Sequence, residues 1–257
     1  MFTVEQRDAL RDRVLRLAAE DARVVAGAAV GSLAVGSGDR FSDLDLTFGI
    51  AGEASVADVL DDWTRTLVDE ADALRLVDLE RGPTIYRVFL LPEALQFDLS
   101  LTPARLFRPA GPRFRLLFGE TAPAPPDAPA STSYLFIPTP AMAGDLFGWG
   151  VVYALHARAC IERGRGWQAE HYLGAVRDHA LSLACLGRGL PPVQARAYDD
   201  LPPDVLVRFD RTHAGSVEPG ALRAALAASV RALLHEASDA DLAHAGVVAE
   251  RLSSLVR

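Results

Sequence analysis

The segment Asp43–Ile50 alternates without a break, Asp43, Asp45, Thr47 and Gly49 against Leu44, Leu46, Phe48 and Ile50. A period of two is the signature of a strand with two unlike faces. One face is apolar and must be covered by another layer. The other carries two carboxylates at i and i+2, about 7 Å apart along the backbone, near enough to share one divalent ion. Any fold this chain adopts has to bury Leu44, Leu46 and Phe48 while keeping Asp43 and Asp45 side by side.

The sequence around that strand predicts its neighbours. Val4–Ala18 places Val4, Leu10, Val14, Leu17 and Ala18 on one face, with arginines and aspartates elsewhere, which reads as an amphipathic helix. Val24–Val30 is a run of small and β-branched residues suited to a buried strand. It ends at Gly31-Ser32, and Gly36–Ser42 is turn chemistry. Ser55–Ala73 reads as a capped helix, and Leu74–Leu79 as a strand. Thr84–Leu91 and Leu95–Leu101 flank a Pro92-Glu93 turn and predict a hairpin, with Phe97, Leu99 and Leu101 facing one way and Asp98 and Ser100 the other. This order predicts an α/β (α+β) domain, a mixed β-sheet covered by helices on one face.

Residues 121–130 hold four prolines and no periodicity, the composition of an extended connector. The organisation expected is therefore an N-terminal unit over 1–120, a Pro-rich linker over 121–130 and an all-α helical bundle over 131–257. Helices are expected at Ala141–Arg163, Trp167–Leu186, Pro219–Glu236 and Ala240–Val256, with a proline-interrupted stretch between the second and third.

Charge narrows the partners. All 26 strong cations are arginine, none lysine, against 34 acidic residues, for a net charge of −8. A protein that tracks nucleic acid needs a basic surface, so nucleic acid is not an expected partner. Cys160 and Cys185 stand alone in helical patterns and read as buried thiols. The charged first twenty residues lack the apolar core of a signal peptide, and no stretch has the roughly 18 apolar residues of a membrane span. A cytoplasmic protein with no membrane partner is expected; a homodimer is compatible with the sequence.

If Asp98 lies on a strand beside Asp43 and Asp45, three hard oxygen donors converge. Such a set suits Mg²⁺, which keeps waters and accepts phosphate oxygens as its remaining ligands. Gly31 and Ser32, at the exit of a strand, offer unhindered N–H groups and a hydroxyl of the kind that cradle phosphates. Arg40 and Ser42, in the turn before the carboxylates, are further candidates for nucleotide contact, as is the arginine cluster at 105, 108, 113 and 115.

The sequence Val30-Gly31-Ser32, ten residues, then Asp43-Leu44-Asp45-Leu46 resembles the signature of the DNA polymerase β-type nucleotidyltransferase superfamily. Phe97-Asp98-Leu99 fits its third acidic position. An appended helical domain further resembles the antibiotic nucleotidyltransferases that adenylylate aminoglycosides and lincosamides. The resemblance implies that Asp43 and Asp45 bind metal, two Mg²⁺ ions in all, and that Gly31 and Ser32 hold the β- and γ-phosphates of ATP or another NTP. It implies that Asp98 is the third ligand or the general base. It also implies a small-molecule hydroxyl acceptor.

The helix predicted from Trp167 carries a second candidate base. Glu170, Gly174, Arg177 and Asp178 form a polar stripe; Glu170 could serve as base or acceptor-binding carboxylate and Arg177 as a triphosphate contact. Trp149 and Trp167 read as core residues more readily than as stacking platforms. Two rival functions remain: transfer to a protein or RNA partner, as in toxin–antitoxin systems, and a noncatalytic nucleotide-binding protein.

Overall fold

The computed structural model describes residues 1–109, 113–124, 136, 138–242 and 244–255. Contacts divide the chain into two compact units, Met1–Tyr134 and Leu135–Arg257. Of the Pro-rich stretch 121–130, residues 125–130 lie outside the described residues. Among the described residues no helix is long and apolar enough to cross a membrane.

The first unit opens with α1 (Val4–Glu20), started by a capping box in which the Thr3 hydroxyl accepts from the Gln6 amide and the Gln6 side chain accepts from the Thr3 amide. Strands β1 (Val24–Val30) and β2 (Leu44–Ile50) follow, joined by the single-turn helix α2 (Gly31–Ala34) and a loop. Helix α3 (Val56–Ala71), capped by Ser55, leads to β3 (Leu74–Arg81), β4 (Thr84–Leu91) and β5 (Leu95–Pro103). A last strand, β6 (Phe114–Phe118), completes a six-stranded sheet in the order β3-β4-β5-β2-β1-β6. Every pairing is antiparallel except β2 with β5. That parallel pair follows from the crossover through α3 and the β3–β4 hairpin.

The sheet is mixed and its main core lies on one face, as the alternation requires. Leu44, Leu46, Phe48, Phe97, Leu99 and Leu101 are buried with Leu10 and Val14 of α1 and Leu60, Trp63 and Leu67 of α3. Trp63 meets Phe48 edge to face at 5.1 Å between ring centroids. On the other face a small cluster of Ala26, Ala28 and Phe107 covers part of the sheet, with Phe107 against Gly49 of β2.

Two differences from expectation concern edges. Strand β6 falls in the proline-broken arginine stretch that carried no strand signal; it pairs with β1, so Arg115 is a strand residue opposite Ala29. In the second unit α4 (Pro140–Glu162), α5 (Gly166–Leu186) and α7 (Pro219–Asp239) match the expected helices, with the short α6 (Pro203–Leu206) between the last two. The expected final helix shrinks to α8 (Ala245–Arg251); Asp241 and His244, just before it, take left-handed φ angles of 49° and 70° and delay its start. These helices enclose a separate core around Leu173, Val176, Ala184, Leu226 and Leu233. Cys160 and Cys185 are free and buried within it, and burial pushes the Cys185 thiol up to about 11.

A polar tie fastens β1 to α3. The Asp21 carboxylate accepts from the Arg23 guanidinium and from Trp63 Nε1 at 2.9 Å, while Arg23 Nη1 reaches Asp62 at 2.7 Å. Arg23 above all, with Trp63, holds the Asp21 carboxyl down at about 2, against an ordinary 3.8. A depressed folded-state pKa adds stability above the unfolded value, lost as pH falls through the folded one. Asp21→Asn should therefore lower the melting temperature at pH 7, with the gap to wild type closing between about pH 4 and pH 2. A constant gap across that range would contradict this role.

Candidate functional site

The site forms where β2 and β5 run side by side. Their register sets Asp45 against Asp98 and Thr47 against Ser100, on the face opposite the main core. Asp43, immediately before β2, joins them: one carboxylate oxygen from each of Asp43, Asp45 and Asp98 lies within 4.8 Å of the others. All three are half-buried. Gln96 Nε2 donates to Asp98 Oδ1 at 2.9 Å. Burial pushes the Asp98 carboxyl above its ordinary value; the Gln96 hydrogen bond opposes this and the neighbouring Asp43 charge reinforces it.

Gly31 is fitted to this cluster. Its φ is +71°, in the left-handed region, and a Cβ there would stand 2.3 Å from Asp45 Oδ2. Only a residue without a side chain lets the strand exit press against the Asp45 carboxylate. Beyond it the chain makes the turn α2, and the Ser32 carbonyl accepts from the amides of Val35 and Ser37 at 3.4 and 3.1 Å. The donor set is all oxygen, has three charges and rests against a bared backbone. Those properties suit a hard divalent ion, so the residues fit the metal that the resemblance implies.

The loop before Asp43 is fixed by a residue the sequence did not single out. Arg7 belongs by sequence to the polar residues of the first helix, yet it is only 4% exposed. Its Nη1 donates to the carbonyls of Asp39 at 2.6 Å and Ser42 at 3.0 Å. Its Nε is buried with no hydrogen-bond partner. Within the same turn the Ser42 hydroxyl accepts from the Asp39 amide and bonds to its carboxylate, and that carboxylate also accepts from the Phe41 amide. Ser42 thus stabilises the turn that delivers Asp43. Arg40 lies over the Phe41 ring, 4.4 Å from its centroid, and both are exposed. The signal missed was the burial of Arg7, which depends on contacts more than thirty positions away.

Glu170 and Arg177 belong to α5 of the second unit. Glu170 Oε2 is buried without a hydrogen-bond partner. Arg177 Nη1 donates to the Thr212 carbonyl at 3.4 Å and lies 3.3 Å from His213 Nδ1. A Cβ at Gly174 would meet Arg177 Nη2 at 3.5 Å, an ordinary contact, so no close approach explains that glycine. Trp149 and Trp167 are 56% and 80% exposed, which corrects their reading as core residues. Among the described residues a second group of potential ligands, His235, Glu236 and Asp239, lies in α7. There the Glu236 carboxylate already pairs with Arg188 at 3.0 Å and Arg208 at 2.9 Å.

No protein-family model matches the sequence, and no curated protein matches it. Solved structures do resemble the chain. One is an aminoglycoside 6-adenyltransferase from Bacillus subtilis, 12% identical over 99% of both chains, with a TM-score of 0.43. Another is a nucleotidyltransferase-like protein from Exiguobacterium sibiricum, 14% identical, covering 91% of this chain and 76% of that one, with a TM-score of 0.38. At that level of similarity neither structure assigns a role to a residue of this chain.

Replacing Arg7 by Met would strand two carbonyls in a partly buried turn, at a cost of about 2–4 kcal/mol. Denaturant unfolding should show that loss, and limited proteolysis between Gly36 and Ser42 should accelerate; an unchanged midpoint would refute the clamp. Gly31→Ala should destabilise by about 1–2 kcal/mol from the backbone alone, with more from the Asp45 contact.

Proposed function

We propose that this protein is a nucleotidyltransferase, moving a nucleoside monophosphate, AMP from ATP as first choice, to a hydroxyl of a small molecule of the aminoglycoside or lincosamide kind. The observation that carries the reading is the convergence of Asp43, Asp45 and Asp98 beside the bare backbone of Gly31. Three like charges kept at one half-buried patch repel one another, and a noncatalytic scaffold has no use for them.

Asp43, Asp45 and Asp98 would hold Mg²⁺ in this reading, two ions as the resemblance implies. Bound there, Mg²⁺ supplies charge neutralisation on the phosphates and acidifies the attacking hydroxyl. The remaining chemistry falls to the chain. The acceptor oxygen bonds to the α-phosphorus, the bond from that phosphorus to the bridging oxygen of the β-phosphate breaks, and pyrophosphate departs. The hydroxyl proton passes to a carboxylate. Asp98 and Glu170 are the two candidates, Asp98 for its raised pKa and Glu170 for its buried, unpartnered oxygen. Gly31 and Ser32 would receive the β- and γ-phosphates. Without lysine, any side-chain cation on them is an arginine, with Arg40 and Arg177 as candidates.

An NTP-consuming enzyme with two buried free thiols suits a reducing cytoplasm. An acidic chain gives no support to transfer onto RNA.

A panel of hydroxyl-bearing antibiotics and sugars, incubated with Mg-ATP or Mg-GTP, tests the reading. Acceptor-dependent pyrophosphate release and a matching mass gain on the acceptor are expected. Labelling of a protein with no small-molecule acceptor would replace it. If Glu170 is the base, Glu170→Gln should lose 10²–10⁴-fold in kcat, as an order-of-magnitude expectation, with the nucleotide KM unchanged. Unaltered turnover would leave Asp98 as the base.

A further inference from the structure

The sheet face that bears the carboxylates continues into an apolar shelf. Register carries each polar row onto hydrophobic side chains: Asp45 and Asp98 lead to Val88 and Val77, Ser100 leads to Tyr86 and Leu79, and Gln96 leads to Leu90 and Leu74. The side of the sheet follows from alternation. Arg87 and Phe89, odd-numbered residues of β4, are buried, with Arg87 bonded to Asp61 and Thr64 of α3, so Tyr86, Val88 and Leu90 lie on the face turned away from α3. Leu74, Val77 and Leu79 are 60%, 56% and 50% exposed.

Such a surface calls for an explanation. Strand β3 is an edge, blunted by the charges of Arg75, Asp78 and Glu80 and by the register shift between Arg75 and Val77. Those three charges share the helix-side face. Asp78 turns to the helix side, where it pairs with Arg87 at 2.7 Å, and Glu80 shares its parity. The open face of β3 and β4 holds no carboxylate. Its only charge is Arg81, opposite Thr84 and 5.9 Å from the Tyr86 ring centroid. With strands about 4.8 Å apart, the shelf begins about 5 Å from the strand of Asp98 and extends about 10 Å.

Resting on the nucleotidyl-transfer reading, we propose that this shelf binds the body of the acceptor, which narrows the acceptor to a hydroxylated molecule with an extended apolar, non-cationic face and away from the polycationic aminoglycosides. A polycationic aminosugar would meet no counter-charge on these strands and would lie beside Arg81. An apolar body covers Leu74, Val77 and Leu79 while its hydroxyl extends toward Asp98.

The n-alkyl β-glucosides from methyl to octyl, below their micelle concentrations, keep one set of hydroxyls and vary only the apolar surface. Calorimetric titration of the full chain should show affinity rising about threefold to fourfold per methylene. In the double variant Val77→Ser, Leu79→Ser, both positions exposed and so compatible with folding, most of that dependence should vanish. Affinity that ignores chain length, or a dependence that survives the variant, would overturn the proposal. So would kanamycin binding that the variant weakens, or a wild-type dimer that the variant splits in sedimentation, since a second copy would then cover the shelf. Failure here leaves the transfer reading intact if Mg-ATP still stabilises the protein through Asp43 and Asp45. If that stabilisation is missing too, both readings fall.

Discussion

The parallel pairing of β2 with β5 is the contact on which the rest depends. It sets Asp45 directly across from Asp98, two like charges on neighbouring strands with Asp43 at the margin. Left alone like charges repel; burial above all raises the pKa of Asp98, and the Asp43 charge adds to it. The strain is affordable because the opposite face of the same strands is packed solid. Leu44, Leu46, Phe48, Leu99 and Leu101 anchor the pair against α1 and α3, so the carboxylates cannot swing apart without opening the core. The apolar side of the alternation thus holds together what the polar side would push apart.

Two local devices complete the arrangement, and each acts on one end of the β1–β2 connection. Gly31 allows the exit of β1 to touch the Asp45 carboxylate, which any side chain would prevent. Arg7 reaches from α1 to grip two carbonyls of the turn that delivers Asp43. Both are backbone effects, and neither donates a group to the carboxylate cluster. They place the carboxylates.

Much of this was legible in the sequence because it rests on short-range periodicity. The alternation of Asp43–Ile50, the small-residue run of Val24–Val30 and the Pro92-Glu93 turn specified β2, β1 and the β4–β5 hairpin locally. The carboxylate cluster needed only one long-range assumption, that Asp98 lies beside Asp45, and the register bears it out. What was missed depends on tertiary contact. Strand β6 is a short edge in an arginine-rich stretch, made a strand by the partner β1 offers. Arg7 lies on a helix with many charged neighbours, and only a turn more than thirty residues away buries it. The final helix starts late because Asp241 and His244, just before it, leave the helical region, and neither glycine nor proline announced it. The apolar shelf was hidden differently: its residues were read as strand formers, and which side of the sheet stayed uncovered needed the fold.

The central claim is that Asp43, Asp45 and Asp98 are a metal-nucleotide site. A ligand that binds only the folded state raises its melting temperature in proportion to affinity and concentration. Thermal unfolding with Mg²⁺ and ATP together, compared for wild type and the Asp43→Asn, Asp45→Asn double variant, tests it most directly. At a hundredfold excess over Kd the wild type should gain about 2.7 kcal/mol of stability, and the variant should gain nothing. An equal rise in both proteins, or none in wild type, would contradict the account.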